Sequence, residues 1–139
     1  MRRLYIIVEG QTEQEFVSQT LAPYLRDFGI YDITPILIRT SKTGKGGFVN
    51  YEHLKNNVTR LLSSEKDIVV STFVDFFRIP TSVPKYEDSM RLNCDNDKVE
   101  SLEQAMFESI TDTRFIPYIQ LHEFEALLFS SNKGFEGYC

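Results

Sequence analysis

Tryptophan is absent from this chain, and there are only two cysteines, Cys94 and Cys139, among its 139 residues. The cysteines lie far apart, without the paired spacing of a zinc site, and they fit a reducing, cytoplasmic setting. Long apolar runs are also missing. The first, Leu4–Val8, follows Arg2 and Arg3 and is broken at Glu9, too short for a signal peptide. No stretch has the length needed to span a bilayer, so no membrane partner is expected. Positive charge is scarce: 15 Lys and Arg stand against 20 Asp and Glu, a net charge of −5. That excludes a whole-surface electrostatic grip on nucleic acid and leaves room only for a local basic patch. Internal repeats and low-complexity tracts are lacking as well.

What is present suits a single domain spanning 1–139. Leu4–Val8 reads as a buried strand of a parallel sheet, followed by a helix over Glu13–Phe28 that Thr12 would cap and Pro23 would end or kink. Gly29 is a natural stop. Thr34–Arg39 reads as a second strand and Thr40–Val49 as a polar, Gly-rich loop. A helix over Tyr51–Ser63 and a third strand over Ile68–Val74 follow. Thr81–Asn93 reads as irregular. A helix over Lys98–Ile110 would be capped by Asp95 or Asn96, a fourth strand covers Phe115–Leu121, and His122–Phe129 turns into another helix. The alternation predicts an α/β fold, an open parallel sheet of about four strands with helices on both faces. Only ten residues follow the apolar stretch Phe124–Phe129, which predicts a domain truncated at its C-terminus.

Acids mark the strand ends. The first strand stops at Glu9-Gly10, the third at Asp75, and the fourth at His122-Glu123, with Glu125 close by. In a parallel sheet these ends share one edge, where open α/β folds bind ligands. Converging carboxylates repel unless a cation sits among them, and hard oxygen donors favour Mg²⁺ or Mn²⁺. Such a site activates water or polarises a phosphoryl oxygen. The competing reading is a set of solvated acidic turns and helix caps. Lys42 and Lys45, on the glycine-rich loop after the second strand, are placed either to touch a nucleic-acid backbone or to lie in solvent. The loop does not meet the Walker pattern, because Gly46 follows Lys45. His122-Glu123-Phe124-Glu125 is not a zinc-protease motif, because Ala126 stands where its second His would be. His122 is placed to shuttle a proton or to orient a neighbour. Arg114, at the start of the fourth strand, reads as a structural ion pair on the opposite edge.

Val8-Glu9-Gly10 with Thr12-Glu13, then Val74-Asp75-Phe76-Phe77-Arg78-Ile79-Pro80, then Arg114 through Phe129 resemble the Toprim-like family catalogued as domain of unknown function 4276. The resemblance covers essentially the whole chain, and family members usually continue beyond the last motif. Toprim domains occur in topoisomerases, primases and overcoming-lysogenization-defect-type nucleases, where a Glu after the first strand and an Asp-x-Asp after the third hold Mg²⁺. The resemblance implies that Glu9 is the first acid and Asp75 the first Asp of the pair. Phe77 stands where the second Asp would be, and Glu123 or Glu125 would have to replace it. Family members often lie beside a chromosomal-segregation-type ATPase in defence-like gene pairs. The expectation is therefore a metal-dependent phosphodiester-cleaving domain of an ATPase-coupled anti-phage defence module. In it Glu9 is base or ligand, Asp75 a ligand, Glu123 and Glu125 auxiliary acids, and Lys42 or Lys45 the backbone contacts. The rival is a non-catalytic, Toprim-derived docking or regulatory partner of an ATPase.

Overall fold

The computed structural model describes residues 2–38 and 50–121. The apolar run at the N-terminus forms β1 (Arg3–Val8), and β-branched Ile68–Asp75 forms β3. They pair in parallel over six residues, from Arg3 opposite Ile68 to Val8 opposite Phe73. On its other side β1 pairs in parallel with β2 (Ile33–Leu37). β2 is the edge of the sheet, which is why it tolerates Pro35, a residue with no N–H to give a further neighbour. β4 (Phe115–Ile116) and β5 (Ile119–Gln120) both add to β3, giving the order β2-β1-β3-β4. The α/β parallel sheet expected from the alternation of elements is therefore the fold.

Helices cover both faces. On one face α1 (Gln11–Phe16), a π turn (Val17–Leu21) and α2 (Ala22–Arg26) bury Val17 against Ile6, Val8 and Phe73. On the other, α3 (Tyr51–Ser64) and α5 (Asp95–Ile110) bury Leu54, Val58, Leu102 and Met106 against Ile7, Val70 and Val74. The Tyr51 hydroxyl ties these two helices together through Ser109, at 2.5 Å.

Several sequence expectations need correction. The helix after β1 is not uniform. Pro23 cannot donate its i→i−4 hydrogen bond, and the preceding residues widen into a π turn that takes up the mismatch. Thr12 is not its cap. Gly10 holds that position, and Gln14 N–H donates to the Gly10 carbonyl at 3.0 Å. The first segment ends at Arg26, and Gly29 closes it with φ +87°, its N–H donating to the Arg26 carbonyl. Within Thr81–Asn93 a short helix, α4 (Tyr86–Met90), follows Lys85, whose φ is +59°. α5 begins at Asp95, so Asp95 and Asn96 lie inside it, Cys94 holds the cap position, and Asp95 and Asp97 face the positive end of the helix dipole.

The fourth strand is not continuous, because Pro117 interrupts it. The register nevertheless survives the break, with Ser71 opposite Ile116 and Val74 opposite Ile119. Buried Thr72 bridges the gap. Its Oγ1 accepts from the Tyr118 N–H at 2.8 Å and donates to the Tyr118 carbonyl at 2.7 Å. On the open side of β5, Glu103 accepts from the Ile119 N–H at 2.8 Å and blunts that edge. Arg114 is structural, on the edge away from the strand-end acids. It pairs with Asp112 at 2.8 Å and donates to the carbonyls of Leu62, Glu65 and Lys66 at the end of α3.

Thr72→Val should therefore cost about 2 kcal/mol in urea unfolding, because it strands both Tyr118 backbone groups, while Thr72→Ser should cost less than half as much. Equal losses for the two variants would show that the hydroxyl bridge contributes nothing.

Candidate functional site at the switch point of the sheet

The chain leaves β1 to build β2 on one side and then crosses to build β3 on the other. Connections diverge to opposite faces at that point, so the carboxyl ends of β1 and β3 frame a crevice, the usual ligand position in open α/β sheets. Glu9 follows β1 and Asp75 ends β3. The register, with Val8 opposite Phe73, leaves them one step apart on the same edge. Glu13 reaches back from the first turn of α1. A Cβ built on Gly10 would stand 2.6 Å from Glu13 Oε2. Gly10 itself has an extended backbone (φ −144°) that any residue can adopt, so a side chain there would only have to displace the flexible end of Glu13.

Glu9 is only 4% exposed, and its Oε1 is buried without a hydrogen-bond partner. Burial pushes its carboxyl up to about 7. The Glu13 charge adds to the rise, as does Asp75, while the Arg78 guanidinium and the backbone N–H of Asp75 act the other way. Arg78 Nη1 lies 4.0 Å from Glu9 Oε1, at the limit of an ion pair, and its side chain is 71% exposed. Asp75 is half-buried, and its Oδ1 accepts from the Phe77 N–H at 3.0 Å and caps a 3₁₀ turn (Phe76–Arg78).

The structure thus brings together two of the four acids singled out from the sequence, Glu9 and Asp75. Glu123 and Glu125, together with Lys42, Lys45 and His122, lie outside the described residues. Glu13 and Arg78 join the site without having been assigned a role from sequence. Glu13 was legible as the residue one helical turn past Glu9, and Arg78 as the cation three residues after Asp75. Among the described residues no set of three acidic, His or Cys side chains is arranged to hold a metal ion. Glu9 and Asp75 supply two hard oxygen donors, and the unpartnered Glu9 oxygen fits a cation. A carboxyl that titrates near neutrality is also suited to exchange a proton with a bound water.

The folded chain holds the Glu9 carboxyl above its ordinary value of 4.5, so folding favours its protonated form. The penalty for the buried anion is absent below about pH 4.5, grows as pH rises, and is complete above about 7. Glu9→Gln should raise the thermal midpoint at pH 8, and the gain should vanish by pH 4.5. A gain independent of pH would mean that the anion carries no such penalty.

Among the described residues no helix is long and apolar enough to cross a membrane. No curated protein matches the chain, and no solved structure does. The family described as "Domain of unknown function (DUF4276)" matches residues 8–138. With nearly its whole length inside that match, the chain belongs to the DUF4276 family.

Proposed function

We propose that this protein is a Toprim-like, Mg²⁺- or Mn²⁺-dependent phosphodiester-cleaving domain, working with a separate ATPase in a cytoplasmic anti-phage defence module. The observation that carries this reading is the buried, unpartnered Glu9 oxygen at the switch point of the sheet, with the Asp75 and Glu13 charges beside it. Repelling acids around a buried carboxylate are stabilised by a divalent cation, and Glu9 and Asp75 would hold it, with Glu123 or Glu125 as further donors. The bound ion would supply charge stabilisation to a phosphoryl oxygen and lower the pKa of water. Glu9 would ligate it or take the proton from the attacking water. Water adds to phosphorus, one P–O ester bond breaks, and the leaving oxygen takes up a proton, giving a phosphomonoester and an alcohol. Lys42 and Lys45, in the glycine-rich stretch of sequence after Leu37, would contact the nucleic-acid backbone. The Toprim link and the ATPase partnership come from the resemblance of the sequence motifs.

The docking-module reading has its own support. Phe77 stands where a second Asp would complete a Toprim clamp, and Arg78 already offers Glu9 a cation. A metal titration separates the two. Mg²⁺ or Mn²⁺ should raise the thermal midpoint of the protein by mass action, and Glu9→Gln and Asp75→Asn should each abolish the rise. Glu9→Gln should also be the more stable protein without metal at pH 8. A midpoint indifferent to both ions, with and without nucleic acid, would replace the catalytic reading by the docking one.

A further inference from the structure

The turn that follows Asp75 carries an exposed aromatic residue and, next in sequence, an exposed arginine. Phe76 is buried, while Phe77 is 69% exposed. Isolated exposed apolar side chains are common and need no explanation. Here, however, the backbone that carries the ring is held in place. The Phe77 N–H is fixed on Asp75 Oδ1 at 3.0 Å, and the Ile79 N–H closes the turn on the Phe76 carbonyl at 3.2 Å. The buried Phe76 ring meets Phe77 edge-on at 5.2 Å. The next residue, Arg78, sends its guanidinium toward Glu9, and Phe77 and Arg78 share the 3₁₀ turn that follows Asp75.

We propose that Phe77 is a stacking platform for an unpaired base, with Arg78 on the adjoining phosphate, so that the site takes single-stranded nucleic acid. This inference rests on the phosphodiester-cleaving reading and names its substrate class. A flat apolar face and a guanidinium on consecutive residues of one short turn match the two chemically distinct parts of a nucleotide. A duplex hides its base faces within the stack except at its two ends, so along its length a protruding phenyl ring finds a partner only on an unpaired strand. The net charge of −5 favours the docking reading, and it sets the terms on which a nucleic acid could bind. A chain without broad positive charge draws little affinity from counterion release and must rely on contacts such as stacking.

The absence of tryptophan makes the test direct. Phe77→Trp supplies a lone indole whose fluorescence a stacked base quenches. Titrated in EDTA with an oligothymidylate, the full chain should show quenching, and a relaxed, covalently closed circular duplex, which has no ends, should not quench it. By anisotropy of the labelled oligothymidylate, Phe77→Leu should weaken binding about tenfold, and Phe77→Tyr should retain it. Arg78→Gln should lower the dependence of log affinity on log salt by about one. Equal binding by wild type and Phe77→Leu, or equal quenching by duplex and single strand, overturns the proposal. Failure of the oligonucleotide to bind at all also overturns it and assigns the ring to a protein surface. The metal-induced thermal shift judges the cleavage reading separately, because Phe77→Leu leaves Glu9 and Asp75 in place.

Discussion

The parallel ladder between β1 and β3 is the constraint on which the rest of the molecule depends. It joins two strands far apart in sequence over six residue pairs. It also places β1 between two neighbours, so that its backbone is satisfied on both sides and its side chains are buried on both faces. Isolated β1 would be a short apolar peptide with no reason to be extended. Sandwiched in this way, it drives Val8 and then Glu9 into the interior. The same ladder brings Asp75 to Glu9, because a parallel register carries both strand ends to one edge.

A carboxylate delivered to such a place works against the stability of the fold. Burial and neighbouring acids disfavour the Glu9 anion, while one distant guanidinium and one backbone N–H only partly offset them. Nothing in the packing of the sheet requires an acid there, and an amide of the same shape would avoid the cost of the charge. Local frustration of this kind, in a fold otherwise consistent in its patterning, is what a functional position looks like in physical terms. Arg78 sits at the rim, too exposed and too far to neutralise Glu9, yet close enough to bias it.

The prolines show how the fold tolerates residues that break its regular hydrogen bonding. Pro35 lies on the edge strand, where it offers no N–H to a further neighbour. Pro23 is absorbed by widening one helical turn. Pro117 falls inside the strand next to β3, and the Thr72 hydroxyl, both donor and acceptor, spans the interruption. That bridge keeps Ile119 and Gln120 in register with the end of β3, so it also preserves the geometry of the functional edge.

The alternation of apolar strands with amphipathic stretches was enough to determine the α/β class, because burial on two faces leaves a continuous apolar run and burial on one leaves a helical period. The strand-end acids could be read in the same way, since Glu9 and Asp75 directly follow such runs. Finer features were not local. The π turn depends on how Pro23 is accommodated within a helix packed on the sheet. The break at Pro117 could be called a continuous strand because the Thr72 that repairs it lies 45 residues earlier in the register. The short helix at Tyr86–Met90 starts from a left-handed Lys85, which no hydrophobic period announces. Glu13 and Arg78 could be seen in the sequence as charges, but their meeting at Glu9 could not. Sequence spacing fixes which residues lie at a strand end or on a helical turn. Which ends stand side by side, and whether a carboxylate there is wet or dry, is decided only when long-range pairing removes the water.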